Sequence, residues 1–363
     1  MNLQQRIALS ILGLGGKKKI RKILNAVGNI DDFFNLKKHH LSSIEGIGER
    51  FLIQFDRDKA LKEAEKHLPF ILKNNITLIS ESDATYPSRL KQCADAPLIL
   101  FSKGQLDCNV SKTVSIVGTR NASDYGKKRC AELVENLASK NILVVSGLAY
   151  GIDIFTHQLC VQLNIQNIGV LGHGLDLLYP SAHWQTATQM CSNGGLISEF
   201  LPGTKPDREN FPMRNRIVAG MTDATIVIES GAKGGSLITA ELANDYAREV
   251  FAFPGNVDEP FSVGCNQLIQ QQKAHLITCA NDFMTFMDWG EPKVKQQQMA
   301  LFPELNESEK KVYDYLMLHR SAHVDVLALN LGIPVYEMSV LMLQMELKGI
   351  IQQLPGDQIK IFR

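Results

Sequence analysis

The chain has 363 residues, with 38 Lys+Arg against 38 Asp+Glu and so no formal net charge at pH 7. Its length exceeds one domain of roughly 100 to 200 residues, so two or three folding units are expected. Neutrality excludes bulk electrostatics as a route to nucleic acid, and any cationic surface has to be local.

Seven cysteines stand singly without a CxxC pair, which suggests neither a disulfide framework nor a zinc knuckle. The start "MNLQQRIALSILGLGG" lacks a signal-peptide pattern. No run reaches the roughly 18 apolar residues needed to span a bilayer. A cytoplasmic protein is expected.

Residues 1–70 read as a small all-α domain, with lysines in "GGKKKIRKIL" and a Gly46-Ile47-Gly48 turn in "LSSIEGIGERFLIQF". Helix, glycine turn and helix make a helix-hairpin-helix (SAM-like) pattern whose turn amides can meet a phosphate, and a plain helical hairpin fits the same residues. Residues 75–288 alternate short apolar runs with segments of helical length: "TVSIVG", "ILVVSG", "NIGVLG", "GLISEF", "ATIVIES" and "EVFAFPG". This alternation predicts an α/β fold, a Rossmann-like doubly wound and mostly parallel sheet. Ligands of such sheets bind outside the carboxyl ends of the strands, where these runs finish in Gly or Ser.

Residues 289–304, with the Gln-rich "EPKVKQQQMALFPELNE" across them, read as a linker, and 305–363 outline a winged-helix domain. The would-be recognition helix, "VYEMSVLMLQMELKG", holds one lysine and no arginine, which favours protein contact or dimer packing over DNA reading.

Several enzyme signatures are missing. "IVGTRNASDYG" lacks GxGxxG spacing, "GLGGKKKI" has no preceding strand and no GK[ST], and Ser146 in "VVSGLA" lacks the glycine of a nucleophile elbow. Four strand-to-helix junctions carry the chemistry instead. Gly118, Thr119 and Arg120, with Ser123 and Gly126, offer amides, hydroxyls and a guanidinium before a helix. Ser146, Gly147 and Gly151 form the next junction, with Asp153 in the first helical turn. Arg214 and Arg216 flank Asn215, and Lys233, Gly234, Gly235, Ser236 and Thr239 follow a buried strand. Gly147 and Gly151 also suit plain sheet-helix packing, Asp153 suits a helix start, and His157 and His173 read as ordinary histidines. Arginines and lysines at such loops need an anionic ligand or an internal carboxylate.

The stretches "YPSRLKQCADAPLILFSKG", "IVGTRNASDYG", "VVSGLAYGID", "LYP", "GGLISEF", "FPMRNRIVAG", "GGSLITA" and "PGNVDEPFSVGCNQLI" resemble, in order and spacing, the DNA-processing protein A family (DprA, or Smf) from about residue 75 to 290. The flanking helical and winged-helix regions resemble those of its longer members. The resemblance implies a cytoplasmic bacterial protein without cofactor or catalytic residues. Such a protein binds incoming single-stranded DNA in natural transformation, dimerises through the Rossmann-like domain and helps load a RecA-type recombinase. It places the phosphate pocket on Gly118, Thr119, Arg120, Ser123, Ser146, Gly147, Arg214, Arg216, Lys233 and Ser236. Thr156, Met221-Thr222 and Gly234 depart from the family pattern. Tyr125, Phe155 and Phe211 are candidates for base stacking. The rival reading is a Rossmann-like nucleoside-phosphate hydrolase, with Glu241 or Asp153 activating water.

Overall fold

All six apolar runs of the middle region become strands of one nine-stranded sheet. The computed structural model describes residues 2–13, 17–28, 30–48, 51–52, 55–138, 140–290, 305–354 and 356–361. The linker expected at 289–304 therefore lies, from residue 291 onward, outside the described residues. The chain divides into two compact units, Met1–Trp289 and Gly290–Arg363.

In the first unit the parallel strands are β3 (Lys112–Val117), β4 (Ile142–Ser146), β5 (Asn167–Leu171), β6 (Gly194–Ser198), β7 (Ala224–Val227), β8 (Glu249–Ala252) and β9 (His275–Leu276). Three strands were not anticipated from the sequence: β9 at one edge, and at the other β2 (Ile99–Gln105), antiparallel beside β6, with β1 (Thr77–Ser80) antiparallel beside β2. The order β1-β2-β6-β5-β4-β3-β7-β8-β9 reverses direction at β3, between β4 and β7. A crevice opens beyond the carboxyl ends of the strands at such a reversal.

Both faces of the sheet are covered, which is why its central strands read as unbroken apolar runs. Leu143, Val145, Ile168 and Val170 pack against Ile217, Val218, Ala240 and Ala243 on one face. Val114, Ile116, Val144 and Ile226 pack against Cys130, Leu133, Val134 and Phe283 on the other. The helices that cover these faces and frame the crevice include α7 (Asp124–Leu137), α8 (Ile152–Gln162), α10 (Asn210–Gly220) and α11 (Gly235–Asp245), with α9 (Trp184–Met190) between α8 and α10 in sequence.

Ahead of them, α1 (Leu3–Gly13), α2 (Lys17–Val27), α3 (Ile30–Asn35), α4 (Lys38–Ser42) and α5 (Arg57–Lys73) share a core with β1 and β2 through Ile7, Ile20, Phe33, Leu78, Leu98 and Phe101. The short α6 (Ser88–Lys91) follows β1, and α12 (Val263–Gln270) and α13 (Ala280–Phe286) flank β9 in sequence. Gly46 of the glycine turn has φ +81°, the left-handed conformation that a tight reversal requires.

The second unit runs α14 (Glu307–His319), β10 (Ser321–His323), α15 (Val324–Leu331), α16 (Val335–Leu347), β11 (Ile351–Leu354) and β12 (Gln358–Ile361), with sheet order β10-β12-β11. This is a winged helix. Asn306 and Glu309 form a reciprocal capping box that starts α14. Left-handed Gly332 ends α15, and Pro334 precedes α16. Among the described residues no single helix is long and apolar enough to cross a membrane.

Candidate functional site

A cavity of about 620 Å³ opens at the sheet reversal. Its wall comes from the loop after β3 (Gly118, Thr119, Arg120), the start of α8 (Ala149, Asp153), the start of α10 (Arg208, Phe211, Arg214, Asn215) and the loop that opens α11 (Gly231, Lys233 to Ser236). Four cations face one carboxylate there.

Arg214 forms the buried base. A Cβ on Gly147 would sit 1.5 Å from its Nη1, so glycine at 147 is what lets the guanidinium lie against the end of β4. The plainer role open to Gly147 in the sequence, close packing between sheet and helix, is met by this same contact, because Arg214 stands on α10. Burial pulls the Arg214 pKa down, and the charge of Asp153 opposes that pull. Burial likewise pushes the Asp153 carboxyl up, opposed by Arg214 and by hydrogen bonding to Ala149. Among the described residues the buried Nε of Arg214 has no hydrogen-bond partner, so part of this cation's donor capacity is unused.

Arg120, Arg208 and Lys233 are exposed and have no ion-pair partner among the described residues. The Arg120 guanidinium lies 5.4 Å from the Phe211 ring centroid, a cation-π contact that holds it over the opening. Gly151, at φ +77°, lets the backbone of Thr119 and Arg120 come close, and the Ile152 amide donates to the Thr119 carbonyl over 3.1 Å. Opposite, α11 begins at Gly235 without any side-chain cap, so its first amides point outward beside Lys233.

The other expected residues have different surroundings. Ser123 caps α7 and engages Glu229 through its hydroxyl and its amide, and Gly126 leaves room for that buried carboxylate. Ser146 is fully buried and donates to the Ile116 carbonyl, beneath the cavity. The Ser236 hydroxyl donates to Ser230 Oγ over 2.8 Å, and a Cβ on Gly234 would meet that same Ser230 oxygen at 2.3 Å. Glycine at 234 is thus matched to Ser230.

Arg216 points away from the cavity altogether. It lies buried with its Nη2 2.5 Å from Glu199 Oε2, which also takes Lys17, so the internal carboxylate partner belongs to Arg216. His157 is buried against Asn167, and His173 accepts from the Tyr179 amide.

Sequence reasoning missed Arg208, which supplies the fourth cation; it stands between Asp207 and Glu209 in the charge-balanced stretch "KPDREN" that leads into α10, so nothing local singled it out. It also missed the aromatic surface. A second hollow, sharing Arg120, Phe211 and Arg214 with the first, is lined by Tyr150 and Tyr179, each 47 % exposed. The Tyr179 and Phe211 rings lie 6.2 Å apart, and Tyr150 meets His183 edge-on, with exposed Trp184 next in the chain. Of the stacking candidates, only Phe211 stands here. Phe155 packs on the core, and the Tyr125 hydroxyl is bound to the Pro254 carbonyl. Glu241 lies outside the cavity wall, paired with Lys273 at 3.3 Å.

Fold and cavity together define a Rossmann-like protein with a cation-lined cavity and a winged-helix unit. The match to relatives is more specific. Residues 77–288 match the family model for DNA recombination-mediator protein A, and 298–357 match that for the DprA winged helix domain. Protein Smf of Escherichia coli (strain K12) is 35 % identical over 315 residues, covering 83 % of this chain and 82 % of that one. DNA processing protein DprA of Bacillus subtilis (strain 168) is 40 % identical over 200 residues, 55 % of this chain and 67 % of its own.

The X-ray structure of DprA from Streptococcus pneumoniae superposes with a TM-score of 0.66 at 32 % identity, covering 78 % of this chain and 98 % of that chain. DprA from Helicobacter pylori, whose structure is described in terms of its single-stranded DNA binding mode, gives 0.54 at 26 % identity over 58 % of this chain and 95 % of that one. The chain belongs to the DNA recombination-mediator protein A family, and its role is DNA processing in recombination. The hydrolase reading is not favoured.

Proposed function

We propose that the cavity binds the phosphates of single-stranded DNA and that the neighbouring aromatic rings accept its bases. The observation that carries this reading is the convergence of Arg120, Arg208, Arg214 and Lys233 on one cavity beside exposed Tyr150 and Tyr179. Binding of any sequence needs cations that follow the backbone and rings that stack on any base, and it needs no catalytic group. Duplex DNA keeps its bases stacked inside and gains only the phosphate contacts. The pocket is proposed on Gly118, Thr119, Arg120, Gly147, Arg214 and Lys233, with Arg208 added. Ser236 belongs to the cavity wall, with its hydroxyl engaged by Ser230; Ser123 and Ser146 support the loops, and Arg216 anchors α10.

On this reading the protein works in the bacterial cytoplasm. Two copies join through the sheet-bearing unit, protect DNA entering by natural transformation and pass it to a RecA-type recombinase, without turnover of nucleotide. The helical region to about residue 70 and the sheet region from 75 are two domains on this reading, joined through the core that the helices share with β1 and β2.

The test compares affinity for one oligonucleotide as a single strand and as a duplex, for the full chain and for Arg214→Gln. Preference for the single strand, reduced tenfold or more by Arg214→Gln, is expected. Equal affinity for both forms refutes the reading. Release of free base from nucleoside monophosphates would restore the hydrolase.

A further inference from the structure

Helix α16 of the second unit is apolar on more sides than its own domain can bury. Met338, Leu341, Met342 and Met345 fill the core of that unit. Yet Tyr336, Val340, Leu343 and Leu347 are 71, 57, 58 and 80 % exposed. A helix of a small domain normally has one apolar stripe and turns a polar face to water. This second stripe sets four large apolar residues on one exposed helix face, unlike the single apolar residues scattered over ordinary surfaces.

Its spacing identifies the shape that fits. The four residues recur at intervals of four, three and four along the sequence, the seam of a coiled coil, whose complement is another α-helix. The charges beside it argue against DNA. No Lys or Arg occurs within α16, and its charged residues are Glu337 and Glu346. The next cation, Lys348, is held by both carboxylate oxygens of buried Glu309 at 2.6 and 2.8 Å. An acidic rim repels phosphate.

We propose that this stripe pairs with the same stripe of a second copy of the chain, the two α16 helices running antiparallel about a two-fold axis between Val340 and Leu343. Tyr336 then packs on the partner's Leu347, and Val340 on the partner's Leu343. Each helix supplies the apolar seam that the other needs, as an isologous interface requires. The flanks agree: Glu337 falls beside the partner's Gln344, and Ser339 beside the partner's Glu346, so no like charges meet. The opposed helix dipoles add a favourable term. This pairing is independent of the DNA cavity and of any dimer formed by the sheet-bearing unit.

The experiment is disulfide cross-linking in the full chain with exposed Cys279 replaced by serine, which preserves its helix cap. Tyr336→Cys and Leu347→Cys proteins are oxidised separately and as an equal mixture. In the antiparallel pair, residue 336 lies about 16 Å along the axis from its own counterpart and opposite residue 347. The expected result is a covalent dimer in the mixture, at least fivefold above either protein alone, and its loss when Leu343→Glu is added to both. Leu343 is exposed, so Leu343→Glu should leave the melting of the second unit unchanged, which a thermal scan checks. Absence of cross-links in the mixture overturns the proposal in favour of a different partner, such as a basic helix. Equal cross-linking of each protein alone overturns it in favour of parallel or random association.

Discussion

Arg214 and Arg216 stand two apart on one helix and do opposite work. Residues i and i+2 of an α-helix point to different sides, so only one of the pair can reach the cavity. Arg214 enters it, whereas Arg216 is fixed by Glu199 and by the Asp95 carbonyl. Alanine substitutions separate binding from stability. Arg120→Ala removes an exposed cation with no internal carboxylate partner, so single-strand affinity should fall about tenfold while the thermal midpoint holds. Arg216→Ala leaves the buried Glu199 carboxylate with Lys17 as its remaining ion-pair partner, and should cost about 2 kcal/mol in urea unfolding. Reversed outcomes would make Arg120 structural and Arg216 the ligand contact. His157 sets a pH dependence beside them. Burial pushes its pKa down to about 4, opposed by the Asn167 hydrogen bond, so the unfolded chain binds the extra proton below about 6.5. Stability should therefore fall as pH drops from about 6.5 to about 4 and level off beneath. His157→Gln should flatten that window in denaturant titrations at fixed pH.

At the level of elements, the sequence was legible where burial was two-sided. Strands β3 to β8 carry continuous apolar runs because helices cover both faces of the sheet, and the winged helix announced itself through Gly332, Pro334 and the Gly356 turn. Strands β1 and β2 were harder: they pair antiparallel at the edge, where "TLIS" and "ILFSKGQ" mix polar with apolar residues. Within the site, loop cations next to glycines could be read, but helix phase hid the turn of Arg216 away from the cavity and onto buried Glu199. Tyr150, Tyr179 and Trp184 carry no pattern, since a lone aromatic in a loop looks the same whether it caps a core or faces water. One element-level ion pair also escaped sequence reading. Lys348, at the end of α16, locks buried Glu309 at the start of α14. Burial alone would raise that carboxyl, but the hydrogen bonds from Lys348 and Asn306 outweigh it and hold the pKa below the usual range. The stabilisation is thus present above the ordinary glutamate pKa and lost as pH falls through the lowered one. Lys348→Met should destabilise the second unit by about 2 kcal/mol at neutral pH and lessen its loss of stability in acid. Calorimetry that resolves the two units would read both effects.

Across the whole molecule, zero net charge and a nucleic-acid role are compatible because the cations are concentrated. Four line one cavity of the first unit against the single carboxylate of Asp153, while the second unit turns an acidic, apolar helix face outward. This division predicts where the salt dependence of DNA binding resides. Each phosphate neutralised on a single strand contributes about 0.7 to the slope of log affinity against log salt, so four cations give a slope of roughly −3 per bound protomer. A chain ending at Gly290 retains the whole cavity and the core of its own unit, and its Trp289 is buried with that core. It should fold, keep single-strand affinity within about threefold, and show the same slope, because no Lys or Arg of α16 reaches a phosphate. Replacing Arg120 and Lys233 together in that shorter chain should bring the slope to about −1.5. Affinity titrations from 50 to 300 mM salt, on both chain lengths, decide the matter. A shallower slope on truncation would move DNA contacts to the winged helix, and an unchanged slope after the double substitution would remove the cavity from the path of the strand.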